Sequence, residues 1–354
     1  MKINEAIARI VERHDLNASD MEQVMEEIMT GAATPAQVGS FITALRMKGE
    51  TVAEITGAAR VMRAKATRVE TGFDLSSGGE ILVDTCGTGG DGCQTFNIST
   101  TTALVVAAAG LKVAKHGNRS VSSRCGSADV LQALGVNLEL TPAQVAVSIQ
   151  EIGIGFLFAP LLHRAMKYAI GPRREIAIRT IFNLLGPLTN PAAANVQLLG
   201  VYDPALTRPL AEVLKGLGGL QAMVVHGAGG LDELSLAGAN QVVWLRDGEL
   251  AEMILRPADV GLTEAPLAAV RGGDVEENAL LLKKVLAGIE TGPPRDIVLL
   301  NSAAVFVVAG QAAGFRQGVE LAQATIASGR ALAKLEKLVA FSQALKPVSG
   351  ERQG

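Results

Sequence analysis

The stretch VDTCGTGGDG at residues 83–92 sets Gly87, Gly89 and Gly92 at G-x-G-x-x-G spacing, directly behind Ile81, Leu82 and Val83. An apolar strand followed by glycines at that spacing lets backbone N–H groups close around a phosphate, as in dinucleotide sites. The residues after the run point elsewhere. A dinucleotide fold opens its helix inside the glycine fingerprint and grips the ribose with an acidic residue about 20 positions on. Here a polar loop from Cys93 to Thr100 intervenes, and the next strand ends in Lys115 and His116. No Gly-Lys-Ser/Thr triplet follows, so a Walker-type loop is excluded. Alone, the glycines fit a tight turn as well as an anion site.

Neighbouring residues strengthen the anion reading. Thr95, Asn97, Ser99 and Thr100 supply hydroxyls and an amide where an alanine-rich helix begins, and free N–H groups and the helix dipole attract anions there. A second loop at 115–127 carries Lys115, Arg119, Arg124 and four serines at the end of the next strand. Two such loops at the carboxyl ends of adjacent parallel strands make a ligand crevice. A third loop, within 224–235, sets Asp232 beside Glu233. Paired carboxylates near phosphate suit Mg2+, a hard ion that takes one or two carboxylates together with phosphate oxygens and water. Singly, each feature has a plainer explanation: a cap for Ser99 or Thr100, a packed ring for His116, a solvated loop for the acidic pair. Together they offer more donors than one phosphate needs.

Positioning these loops requires alternating strands and helices. Candidate strands at 81–84, 112–114, 155–158, 197–201 and 222–225, with an edge strand at 241–245, are separated by helices such as 101–109 and 128–134, the rhythm of βαβ units. Residues 1–70 read as helices instead. Ile3, Ala6, Ile7, Ile10 and Val11, then Met21, Val24, Met25, Ile28 and Met29, recur on one helical face. Ser19 with Glu22 and Thr51 with Glu54 fit capping boxes, and Thr34-Pro35 with Gln37 starts another helix. The expected fold is α/β in class: a small all-α domain of four short helices at 1–70, with the basic segment 163–185 packing back on it, and a large α/β domain at 75–162 and 186–354 with a mainly parallel central sheet. The methionines of the small domain are core filler, and its nearly balanced charges form a solvated face.

Bulk properties agree with that picture. A chain of 354 residues can build two cores, and 48% hydrophobic residues, 39 glycines and 3% aromatics suit an alanine-, leucine- and valine-rich α/β enzyme. A net charge of -3 gives no global attraction to nucleic acid or anionic membranes, so any anion site must be local. Cys86, Cys93 and Cys125 cannot all pair and lack zinc-site spacing, which favours a reducing compartment. The chain starts in a charged amphipathic helix and has no apolar run of membrane-spanning length, so a cytoplasmic protein is expected.

The segments DTCGTGGDG, FNIST, KHGNRSVSSRCGSADVLQALG, IRTIFNLLGPLTNP and GLDELS, in this order, resemble the anthranilate phosphoribosyltransferases of tryptophan biosynthesis. The resemblance covers nearly the whole chain, including LLNSAAVFVVAG, and its long blocks are far more specific than the glycine run. It implies a homodimer through the small domains, and transfer of the phosphoribosyl group of phosphoribosyl diphosphate (PRPP) to anthranilate with Mg2+. It implies PRPP on Gly87, Gly90, Asp91, Thr95, Asn97, Ser99, Thr100, Lys115, Arg119, Ser123 and Ser127. Mg2+ would sit at Ser99, Asp232 and Glu233, and anthranilate near Gly87, Asn118 and Arg173.

On that resemblance the expected catalytic residues are Gly87 and Lys115 toward the departing diphosphate and Arg173 toward the anthranilate carboxylate. An aromatic amine is already neutral near neutral pH, so no strong base is needed; His116 is read as lining the pocket, with late proton acceptance as the other role open to it. The chain departs from the family pattern at Arg164, where the family reads H-P-A-M-K, at Ile176-Ala177 in place of Leu-Gly, and at Cys93. The first two lie near Arg173 and bear on the shape of the acceptor pocket. Two other functions stay open at this point: a pyrimidine nucleoside phosphorylase-like enzyme, whose glycine signature after the Lys-His pair is absent, and a non-catalytic nucleic-acid-binding relative.

Overall fold

The computed structural model describes residues 1–76, 79–120 and 124–345. Four helices open the chain: α1 (Ile3–Val11), α2 (Ala18–Thr30), α3 (Pro35–Lys48) and α4 (Val52–Lys65). Thr34 and Thr51 each accept the N–H three residues on, while Gln37 and Glu54 accept the N–H of their cap in return. Ser19 is not a cap. Asn17 accepts the Asp20 N–H at 2.8 Å, so α2 starts before Ser19, which lies inside its first turn. Asparagine at this position competes fully with serine. The methionines Met21, Met25 and Met29 are buried core, as their spacing predicts.

The rest alternates strands and helices: β1 (Leu82–Gly87), α5 (Ile98–Ala108), β2 (Lys112–Gly117), α6 (Ser127–Ala133), α7 (Pro142–Ile152), β3 (Ile154–Phe158), α8 (Ala159–Leu162), α9 (Lys167–Ile176), α10 (Ile181–Leu188), β4 (Val196–Gly200), α11 (Thr207–Gly216) and β5 (Gln221–His226). Then come β6 (Asn240–Arg246), β7 (Glu249–Leu255), α12 (Val275–Leu286), α13 (Pro293–Val308), α14 (Phe315–Ala327) and α15 (Arg330–Ala344). The strands form one sheet in the order β3-β2-β1-β4-β5-β6-β7. β1 to β5 run parallel and β6 and β7 antiparallel. The sequence reading contained no β7. That strand is mostly exposed, and Glu249 and Glu252 break any regular alternation of its apolar residues. The Asp247-Gly248 pair, both at positive φ, is the hairpin turn that could have revealed it.

Strand residues alternate between two cores. Leu198, Met223 and Val225 join α5 and α12 to α15 on one face, whereas Leu199, Ala222 and Val224 join the N-terminal helices on the other. Ala169 of α9 and Ile181, Phe182 and Leu185 of α10 belong to the second core. Tyr168 and Ile176 of α9 lie against Gly31 and Gly39 of the N-terminal helices. The chain winds from β1 to β2 and β3, then returns to place β4 on the opposite side of β1. That reversal opens a crevice at the carboxyl ends of β1 and β4.

Candidate active site

Three loops meet at this reversal: 88–97 after β1, the described residues 118–120 and 124–126 after β2, and 227–239 after β5. Space for the third is made by glycine. A Cβ on Gly87 would overlap the Asp232 carboxylate, one on Gly200 the Asp232 carbonyl, and one on Gly227 the Glu233 carbonyl. The acidic loop therefore lies across the strand ends and is not a solvated turn. Asp232 Oδ2 accepts the Gly89 N–H at 2.7 Å, and Glu233 Oε1 accepts the Ser99 N–H at 3.1 Å.

These bonds correct one detail of the expected anion site. The N–H groups of Gly89 and Ser99 serve the acidic loop, and that of Thr88 goes to Gly200 O at 2.9 Å. Among the described residues, the N–H groups of Gly90, Asp91, Gly92 and Thr100 have no partner. Gly89, Gly90 and Gly92 hold φ of 69°, 78° and 74°, the left-handed region where glycine alone is unstrained. The Thr100 hydroxyl is likewise buried with no partner.

Charge around the acidic pair is crowded. Burial pushes Asp232 well above the usual carboxylate range, and Asp91 and Glu233 push it further. Burial likewise raises Glu233 to about 7, against the pull of Lys115 and the Ser99 hydrogen bonds. Lys115 is 4% exposed, its Nζ donating to Thr85 O at 2.5 Å and His116 O at 3.4 Å at the ends of β1 and β2. A dication would relieve the repulsion between these carboxylates. Among the described residues no three His, Cys, Asp or Glu side chains close on one point. Asp232, Glu233 and the Ser99 hydroxyl thus fit Mg2+, which takes its remaining ligands from phosphate and water, and do not fit an ion needing a full protein cage.

The other expected residues occupy the rim. Thr95 is half-buried, its backbone bridged to Arg271, and the Asn97 amide donates to Cys125 O at 3.3 Å. Asn118 is exposed, and Ser127 Oγ donates to its carbonyl at 3.3 Å. Arg119 is engaged by Asp129 at 2.9 Å and Gln132 at 2.7 Å, so a phosphate would have to compete for it. Ser123 lies outside the described residues. Arg173 is half-buried with its guanidinium 5.1 Å from the Phe182 ring centroid, and has no carboxylate partner among the described residues. Its burial lowers its pKa from the usual arginine value. Burial also holds His116 at about 3 and His163 at about 4; their rings lie 5.0 Å apart, both neutral, each with an unpartnered Nε2. A ring this hard to protonate is a poor source of protons near neutral pH.

The sequence reading missed the buried amides that hold these loops. Asn301 of α13 accepts the Leu234 N–H at 3.0 Å and donates to Leu234 O and Ile297 O, both at 2.9 Å. Asn240 accepts the Ser235 N–H at 2.7 Å and donates to Leu255 O at 2.9 Å. Asn190 donates to buried Asp84 and to Ala114 O, both at 2.8 Å, tying β1 to β2. The available signal was one asparagine in the otherwise apolar LLNSAAVFVV, since buried amides persist only when hydrogen-bonded.

Family comparison agrees with this geometry. Residues 4–66 match the model of the glycosyl transferase family helical bundle domain, and residues 79–332 that of the glycosyl transferase family a/b domain. The anthranilate phosphoribosyltransferase of Geotalea uraniireducens is 56% identical over 345 residues, 95% of this chain and 98% of the relative. The crystal structure of the Thermus thermophilus anthranilate phosphoribosyltransferase superposes with a TM-score of 0.89 at 44% identity, covering 96% of this chain and 99% of that one. The Saccharomyces cerevisiae enzyme in complex with PRPP and Mg gives 0.87 at 28% identity, covering 97% and 98%; the same enzyme is also known in complex with 4-fluoroanthranilate. With this identity along nearly its full length, and the same two-part architecture, the chain belongs to the anthranilate phosphoribosyltransferase family.

Proposed function

We propose that the protein transfers the phosphoribosyl group of PRPP to the amine of anthranilate, giving N-(5-phosphoribosyl)anthranilate and diphosphate, a step of tryptophan biosynthesis. One observation carries the reading: unpartnered N–H groups of Gly90, Asp91, Gly92 and Thr100 stand beside an acidic pair that fits Mg2+. The yeast relative's complex with PRPP and Mg supports the same ligands here.

Departure of diphosphate leaves positive charge on the sugar and negative charge on the leaving group. Fixed N–H groups directed at that developing charge stabilise the transition state more than the ground state. Lys115, close to Glu233, adds positive charge on the same side, and Thr95, Asn97, Ser127 and Arg119 hold the phosphate groups and sugar. Bound at Ser99, Asp232 and Glu233, Mg2+ supplies Lewis-acid charge to the diphosphate and a template for it. On the acceptor side, the unpaired Arg173 offers a planar fork for the anthranilate carboxylate, near Asn118. The aromatic amine is already neutral near neutral pH and attacks in that form, and His116 and His163 stay neutral there too. No residue has to abstract a proton first.

We further read 1–70, with 163–185 packed on it, as the small domain and 75–162 with 186–354 as the large one, a homodimer through the small domains, and a cytoplasmic location; among the described residues no helix is long and apolar enough to cross a membrane. The phosphorylase-like and nucleic-acid-binding readings find no support among the relatives. The test is anthranilate fluorescence after mixing protein with PRPP. Loss that requires both PRPP and Mg2+ is expected; loss with neither, or none with both, refutes the reading.

A further inference from the structure

Between α9 and α10 the chain turns at Ala177, whose φ of 51° ends α9 in the left-handed region. Arg179 follows in this bend. The residue is exposed, yet its side chain is committed: Nη1 donates to Gly90 O at 2.8 Å, and the guanidinium stands 4.4 Å from the Tyr202 ring centroid. The platform is itself tied to the glycine loop, because Tyr202 N donates to Thr88 Oγ1 at 3.2 Å. On the other flank, Asp232 holds the Gly89 N–H.

The peptide joining Gly90 to Asp91 is trans and planar, so its C=O and N–H point in opposite directions. Drawing Gly90 O toward Arg179 turns the Asp91 N–H away from Arg179, and that N–H is one of the unpartnered four. Glycines at 89, 90 and 92 would otherwise leave the orientation of this peptide weakly determined. Resting on the reading that PRPP is the donor substrate, we propose that Arg179 is a positioning residue for PRPP, fixing the Gly90–Asp91 peptide so that the Asp91 N–H meets the diphosphate. The aromatic face of Tyr202 holds the guanidinium in the plane this requires, so a lysine satisfies the role only in part.

The experiment compares the parent with Arg179→Ala and Arg179→Lys. PRPP binding is measured by calorimetry with Mg2+ and without anthranilate, alongside steady-state kinetics and deuterium exchange of the loop at 88–93 without ligand. Arg179→Ala is expected to weaken PRPP binding and raise the PRPP KM about five- to tenfold, with less than about twofold change in anthranilate KM, the range for one partly exposed charged hydrogen bond. Loop exchange accelerates in Arg179→Ala, and Arg179→Lys falls between the two. Equal PRPP binding by parent and Arg179→Ala overturns the proposal. Weaker PRPP binding with unchanged loop exchange also overturns it, since Arg179 then touches PRPP itself. A rise confined to anthranilate KM assigns Arg179 to the acceptor and overturns it too. A parent that does not bind PRPP overturns the donor reading and this proposal together.

Discussion

At the ends of β1 and β4 the groups available to a ligand are backbone N–H groups, held by glycines at positive φ and braced by a buried acidic loop. Along 163–180 they are side chains, chief among them Arg173 resting on the Phe182 ring. A site made of backbone tolerates little change, because a Cβ at Gly87 or Gly200 strikes Asp232. One made of side chains on a helix can alter at neighbouring positions and keep its fold. Of the departures from the family pattern, Arg164, Ile176 and Ala177 lie in the second region, where Arg164 and Ala177 are exposed, and Cys93 lies in the first. On the proposed function, donor binding is the backbone-built half of this crevice, expected to tolerate less change, and acceptor binding the side-chain-built half.

The largest effect should come from the acidic loop. Asp232→Asn combined with Glu233→Gln is expected to lower activity about 100- to 1,000-fold at low Mg2+, the scale of losing one preorganised electrostatic element, and less at high Mg2+. A Mg2+ titration that overlays the parent's would remove both residues from the metal site. Next, Arg173→Ala should cost about 1.5–3 kcal/mol, mostly as weaker anthranilate binding at unchanged PRPP affinity. An unchanged anthranilate KM in that variant would leave the acceptor half without its anchor.

The buried histidines give a smaller, pH-dependent effect. His163 titrates at about 4 in the folded chain and near 6.5 unfolded, so between those values the unfolded state binds more protons. Stability is then complete above about 6.5 and lost as pH falls through the window, at no more than about 1.4 kcal/mol per pH unit for this group. His163→Phe should flatten the fall of Tm between pH 6.5 and about 4; an acid limb identical to the parent's would show that His163 is charged in the folded protein. Ala177→Gly, the smallest change, removes left-handed strain of about 1–2 kcal/mol but gives the unfolded chain more freedom. A net stabilisation below about 1 kcal/mol is expected from the denaturant midpoint, with PRPP affinity unaltered. A PRPP affinity shifted as far as the anthranilate affinity would break the division between the halves.

How much of this was legible in the sequence follows the same division. Periodicity revealed the N-terminal helices and the parallel strands, because apolar faces must be buried. Glycine spacing and the Asp232-Glu233 pair marked the proposed donor site by residue type, and the structure brings the two together. Periodicity could not show which amides stay free: Gly89 and Ser99 spend theirs on carboxylates more than 130 positions away. Nor does it expose Asn301, which satisfies backbone groups of a loop distant in sequence, or Asn240, which does so for the loop just before it. The mostly exposed β7 carries no regular apolar–polar alternation, and Asn17 outcompeted Ser19 through a cap whose geometry only the folded turn decides.

The central claim is that the free amides beside the acidic pair form the donor site. A crystal structure of the protein with PRPP and Mg2+ tests it most directly. The account predicts diphosphate oxygens on the N–H groups of Gly90, Asp91, Gly92 or Thr100, with the metal on the Asp232–Glu233 edge. Diphosphate bound away from the ends of β1 and β4, or metal away from both carboxylates, would contradict it.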